Sequence, residues 1–125
     1  MTKRILVIDD EERIREVVRA CLEDLAGWIV FSTGSGQQGL EQAKAESVDA
    51  ILLDISMPQM DGFTFLQHLQ SDPALRSIPV ILLTAKVQPM DKNQFSAMAI
   101  AGVISKPFDP MSFAEEIANI LGWPD

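Results

Sequence analysis

Apolar residues are spaced along the chain in two ways. Five short, nearly continuous apolar runs, residues 4–8, 28–33, 50–53, 80–83 and 102–105, are long enough for strands and too short for most helices. The longer stretches between them follow a helical period. Ile14, Val17, Val18, Cys21, Leu22 and Leu25 recur at i, i+3, i+4, i+7, i+8 and i+11, which predicts an amphipathic helix with one buried stripe, stopped by Gly27. A second helix is expected through about residue 46, with Leu40 and Ala43 inward, and a third over 63–70, closed by Ser71, Asp72 and Pro73. Residues 89–100 read as a weakly amphipathic fourth. Phe113, Ile117, Ile120 and Leu121 give the stripe of a fifth, with Asp109 as N-cap, Pro110 at the first helical position, and Gly122 and Pro124 ending it. Strand and helix thus alternate five times, which implies an α/β fold: a doubly wound parallel sheet with helices on both faces and right-handed crossovers.

The ends of the strands carry the chemistry. The first run stops at Asp9-Asp10, the third at Asp54, the fourth at Thr84 and the fifth at Lys106. In a parallel sheet all C-terminal strand ends lie on one edge, where open α/β sheets place their ligands. Carboxylates crowded there repel one another, and a divalent cation relieves the repulsion. Hard oxygen donors with room for water favour Mg²⁺. Magnesium beside a carboxylate suggests phosphoryl chemistry, with Asp54 as nucleophile, Lys106 and the metal neutralising phosphoryl oxygens, and the Thr84 hydroxyl bonding one of them. The bland alternative, solvated strand ends, fits any one of these residues but not all of them together.

Composition narrows the classes. The 125 residues, 47% hydrophobic with a formal charge of −8, suit one globular domain and argue against non-specific binding to nucleic acid or anionic membrane. No apolar run approaches the about 18 residues of a membrane span, and the N-terminal run is too short for a signal peptide, so a cytoplasmic location is expected. The single cysteine, Cys21, excludes an internal disulfide and falls in a helical stripe, which reads as core packing. The single histidine, His68, has no catalytic or metal-ligand companion nearby in sequence and reads as a surface or helix-packing residue.

One motif points elsewhere. Residues 34–39, Gly-Ser-Gly-Gln-Gln-Gly, follow a strand and open a helix, a literal G-x-G-x-x-G with Asp54 about 20 residues on, the fingerprint of dinucleotide binding. That fingerprint normally opens on the first strand, and it leaves Asp9-Asp10, Thr84 and Lys106 without a role. A flexible strand-to-helix turn is the competing reading.

Taken in order, residues 5–11 (ILVIDDE), 53–58 (LDISMP) with 60–62 (MDG), 79–85 (PVILLTA) and 106–108 (KPF) resemble the receiver domain of two-component response regulators over essentially the whole chain. The resemblance implies one receiver domain over residues 1–125 with a flavodoxin-like five-stranded sheet, order 2-1-3-4-5, and five helices. It implies that Asp54 accepts a phosphoryl group from a sensor histidine kinase or phosphotransfer protein. Asp9, Asp10, Asp54 and the backbone carbonyl of Ser56 would hold Mg²⁺, Lys106 would pair with the phosphoryl group and Thr84 would turn toward it. The Lys106-Pro107 bond would be cis. Phosphorylation would switch the face formed by the fourth helix, fifth strand and fifth helix, read by a downstream protein or a second copy. Such a protein is a signalling switch, not a turnover enzyme. The chain departs from the family at Val103, where a tyrosine or phenylalanine is common, and in residues 99–102. Ser56 and Lys86 occupy variable positions flanking the phosphorylation site. Two alternatives stand beside it: an interaction domain that keeps the fold without being phosphorylated, and a dinucleotide- or flavin-binding α/β module using Gly34 to Gly39.

Overall fold

The computed structural model describes residues 2–54, 62–84, 100–106 and 108–123. Strands β1 (Arg4–Ile8), β2 (Ile29–Thr33), β3 (Ala50–Asp54), β4 (Val80–Thr84) and β5 (Gly102–Ser105) form one parallel sheet in the order β2-β1-β3-β4-β5. This is the expected order. The period-2 alternation of each strand sends Ile5, Val7, Leu52, Ile81 and Leu83 to one face and Leu6, Ile8, Ile51, Leu53 and Leu82 to the other, all buried. Both faces are covered, which is why the strands read as unbroken apolar runs.

Helix α1 (Glu12–Arg19) and the C-terminal helix (Phe113–Leu121) cover the first face through Val18, Phe113 and Ile117. Helices α2 (Gly36–Ala45) and α3 (Gly62–Ser71) cover the second through Ala43, Phe65, Leu66 and Leu69. Four helices are described, and the expected fourth of five, over 89–100, lies outside the described residues but for its last. Helix α2 lies very close to the sheet. A Cβ on Gly39 would come within 2.5 Å of Ile8 Cδ1 and 3.4 Å of the Phe65 ring, so any larger residue there must displace the buried Ile8 side chain.

Two expectations need correction. The first helix does not run as one α-helix to Leu25, because Ala20–Leu25 is π-helical. The wider i→i+5 turn shifts later residues off the α-helical phase. Cys21 and Leu22 still reach the core, but Leu25 is 56% exposed. The C-terminal helix starts at Phe113, with Ser112 in the cap position, not at Asp109-Pro110. Asp109 instead closes a preceding turn, its Oδ1 accepting from Met111 N–H at 3.0 Å and its carbonyl from Ser112 N–H at 3.2 Å. Cys21 is buried as expected and His68 is exposed.

The outer edge of β2 is covered by side chains. Val30 N–H donates to Glu23 Oε2 at 3.3 Å, while Arg19 Nη2 donates to Val30 O at 3.3 Å and Ser32 Oγ at 3.2 Å. Both charged residues come from the helical segment after β1, so the outward backbone groups of Val30 are satisfied from within the chain.

Candidate functional site

Pleating and register bring the polar strand ends together. Val7 pairs with Leu52 and Ile8 with Leu53, so the next residues, Asp9 and Asp54, stand side by side where β1 and β3 end. Asp9 follows Val7 by two positions, Asp54 follows Leu52 by two, and Lys106 follows Ile104 by two, and these three apolar residues share one face. The alternation therefore carries two carboxylates and an ammonium to the same side of the sheet edge.

Asp9 is buried at 0% exposure and is held at four points. Its N–H donates to Thr33 O at 3.1 Å, and its Oδ1 accepts from Glu11 N–H at 2.9 Å. Its Oδ2 accepts from Lys106 Nζ at 2.7 Å, and its carbonyl from Arg15 Nη1 at 2.7 Å. An unpaired carboxylate in such a place would cost several kcal/mol, more than the ~1.5–3 kcal/mol from burying a leucine or phenylalanine. The ion pair is thus required for the fold to tolerate Asp9.

Asp54 is buried at the end of β3, with its Oδ2 3.8 Å from Lys106 Nζ. Glu11 Oε1 lies at the same 3.8 Å from the ammonium but is solvent-facing. Lys106 thus sits among three carboxylates and in this state bonds Asp9 rather than Asp54. Burial pulls its ammonium toward a lower pKa as the largest single effect. The Asp9 hydrogen bond and the charges of Asp9, Asp54 and Glu11 together outweigh it and leave the group above its ordinary value.

Asp10 is exposed, and one carboxylate oxygen from each of Asp9, Asp10 and Asp54 falls within 4.8 Å of the others. Opposite oxygens around an octahedral magnesium ion are separated by about 4.2 Å, so the span is close to that of a hard-cation site. The donor set, three carboxylates with one exposed to water, also suits such an ion. Of Thr84 only the backbone is described, at the end of β4 opposite Ser105. Ser56, Pro58, Lys86 and Pro107 lie outside the described residues. Val103 is half-buried against the second core cluster.

Sequence reasoning did not single out Arg15, which reaches the Asp9 carbonyl, nor place Glu11 beside Lys106. The available signal for Arg15 was its position next to the apolar stripe of α1, where a long side chain can lean over the sheet edge. The glycines of 34–39 have local reasons to be there. Gly39 permits the close approach of α2, and Ser35 between them caps α2 by accepting from Gln38 N–H at 3.3 Å.

A family model described as the response regulator receiver domain matches residues 5–118. Response regulator Rre1 from Synechocystis sp. is 34% identical over 117 residues, covering 94% of this chain and 51% of that protein. Polar-differentiation response regulator DivK from Brucella ovis is 33% identical over 122 residues, covering 98% of each. The chain therefore spans about half the length of Rre1 and nearly all of DivK. Among solved structures, the receiver domain of sensor histidine kinase PA1611 from Pseudomonas aeruginosa PAO1 superposes with a TM-score of 0.84 at 25% identity, covering 98% of this chain and 99% of that one. That structure holds a magnesium ion in its active site cleft.

Proposed function

The chain belongs to the response regulator receiver domain family, and on that premise we propose that it is a phosphorylation-dependent switch with Asp54 as the phosphoacceptor. The observation that carries this is the meeting of Asp9, Asp10 and Asp54 within 4.8 Å with Lys106 among them. Asp9, Asp10, Asp54 and the Ser56 carbonyl would hold Mg²⁺, as the magnesium in the PA1611 receiver supports by analogy. Bound there, the ion would supply positive charge against the phosphoryl oxygens.

The chain's own residues do the rest. An Asp54 carboxylate oxygen attacks phosphorus, and the bond from phosphorus to the donor nitrogen of a phosphohistidine breaks, leaving an acyl phosphate. Lys106 then has a stronger anion within reach. Its Nζ already lies 3.8 Å from Asp54 Oδ2, so a small swing of the flexible stem exchanges Asp9 for the new group. Thr84, at the end of the neighbouring strand β4, bonds a phosphoryl oxygen. The donor is a sensor histidine kinase or phosphotransfer protein, and the readout is a changed surface around β5 and the C-terminal helix that a downstream protein or second copy recognises. We read residues 1–125 as one receiver domain, cytoplasmic, and a signalling switch rather than a turnover enzyme. Among the described residues no helix is long and apolar enough to cross a membrane.

Incubation with a small acyl-phosphate or phosphoramidate donor and Mg²⁺, followed by intact mass measurement, tests this. One phosphoryl adduct, absent in Asp54→Asn, is the expected result. Mg²⁺ binding without an adduct from any donor would instead make the chain an unphosphorylated interaction domain.

A further inference from the structure

The sheet ladder breaks at the point where the acidic turn begins, and one side chain fills the gap. Along β1 and β2 the parallel register runs in step, from Ile29 N–H on Lys3 O to Asp9 N–H on Thr33 O. The next rung of such a ladder would be Ser35 N–H on Asp9 O. It is not made, because Ser35 N–H turns to Thr33 Oγ1 at 3.3 Å as the chain enters α2. The Asp9 carbonyl takes Arg15 Nη1 instead, at 2.7 Å. That carbonyl belongs to the peptide unit whose nitrogen is Asp10's, so whatever fixes its plane also fixes the Cα from which the exposed Asp10 carboxylate projects.

Gly34 makes room for this contact. A Cβ at Gly34 would lie 2.8 Å from Arg15 Nη1 but 3.6 Å from Asp9 O, an ordinary distance. The clash would fall on the movable end of a side chain and leave the backbone alone. The first glycine of the 34–39 motif therefore has a use unrelated to dinucleotides.

We infer that Arg15 is a positioning residue for the metal centre: by replacing the missing ladder bond it holds the Asp9–Asp10 peptide, and through it Asp10, in the geometry that binds Mg²⁺. This rests on the reading of Asp9, Asp10 and Asp54 as metal ligands. Sign separates positioning from simple electrostatics. Arg15 is a cation beside a cation site, so removing its charge alone would tighten Mg²⁺ binding, whereas loss of positioning weakens it.

The test is calorimetric titration with Mg²⁺ alone of the unsubstituted protein, Arg15→Ala, Gly34→Ala and the double variant, with metal-free thermal unfolding to show that each is folded. Arg15→Ala is expected to raise the Kd about tenfold, the lower end for outer contacts of a metal site. Gly34→Ala keeps every charge and is expected to weaken binding in the same direction by displacing the guanidinium. In the double variant the added methyl has nothing to displace, so binding should match Arg15→Ala alone. An unchanged or tighter Kd in Arg15→Ala, or additive losses in the double variant, overturns the positioning role. If the unsubstituted protein binds no Mg²⁺, the metal centre and Arg15's role in it both fall. If it binds and Arg15→Ala equals it, only the role of Arg15 falls.

Discussion

Replacing Asp10 with asparagine should shift stability in opposite directions with and without magnesium. In the metal-free protein the Asp10 carboxylate lies within 4.8 Å of carboxylate oxygens from Asp9 and Asp54, while Lys106 is engaged mainly by Asp9. A like-charge pair at that separation repels by about 0.9 kcal/mol in a water-like medium and about 3.5 kcal/mol at an effective dielectric of 20. Asp10 is exposed, so the lower figure governs, and neutralising it should stabilise the metal-free fold by ~1 kcal/mol. For a chain of this length that is a rise in unfolding midpoint of about 3–6 °C. Magnesium reverses the order. At one hundred times its Kd a ligand stabilises the native state by about 2.7 kcal/mol, whereas a hundredfold weaker site gains only about 0.4 kcal/mol at the same concentration. Wild type should then lead by ~1 kcal/mol. Differential scanning calorimetry at matched ionic strength, with and without Mg²⁺, reads both limbs. A metal-free Asp10→Asn protein less stable than wild type, or equal gains from Mg²⁺ in both, would refute the carboxylate cluster as a strained cation site.

Lys106→Ala leaves the fully buried Asp9 without its cation and should lower the unfolding free energy by about 3–5 kcal/mol, measured by urea titration. The Lys106 ammonium is held above the ordinary lysine value, so its contribution is complete below the unfolded pKa and fades only as pH rises through the folded one. The loss in Lys106→Ala should therefore be the same at pH 6 and pH 8, and a loss that vanished by pH 8 would contradict the pairing. Gly39→Ala drives a methyl into Ile8 and should cost about 1–3 kcal/mol in the same assay, and an unchanged midpoint would show that α2 can lift off the sheet freely.

The sheet and the convergence of polar residues at its rim were legible because both depend on short-range patterning. Period 2 puts Asp9, Asp54 and Lys106 in phase with Val7, Leu52 and Ile104, and parallel strands leave all three at one rim. What escaped depends on three-dimensional choices that patterning does not encode. Whether Lys106 bonds Asp9 or Asp54 is decided by a flexible stem reaching from the end of β5 to carboxylates at the ends of β1 and β3, elements brought close only by the finished sheet. Leu25 matched the helical stripe and still faces water, since the π-helical segment that it ends changes the phase relative to Val18. Asp109-Pro110 carried a legitimate start signal that the chain spent on a turn, with the regular helix beginning only at Phe113. Arg15 was hidden because its partner is a carbonyl, and a backbone acceptor leaves no mark in sequence.

The covering of β2 by Arg19 and Glu23 bears on how copies or partners can meet this molecule. An uncovered edge strand speaks a language common to all polypeptides, since any extended segment can continue its ladder. Here the Val30 amide and carbonyl are already spoken for by two opposite charges set four residues apart on the same helical segment. At Val30 a visitor meets side chains rather than backbone, and must match a particular pattern of charge to displace them. Contact at β2 is thereby written in residues that can change one at a time, so related receiver domains sharing this sheet can diverge in the company they keep without altering the fold.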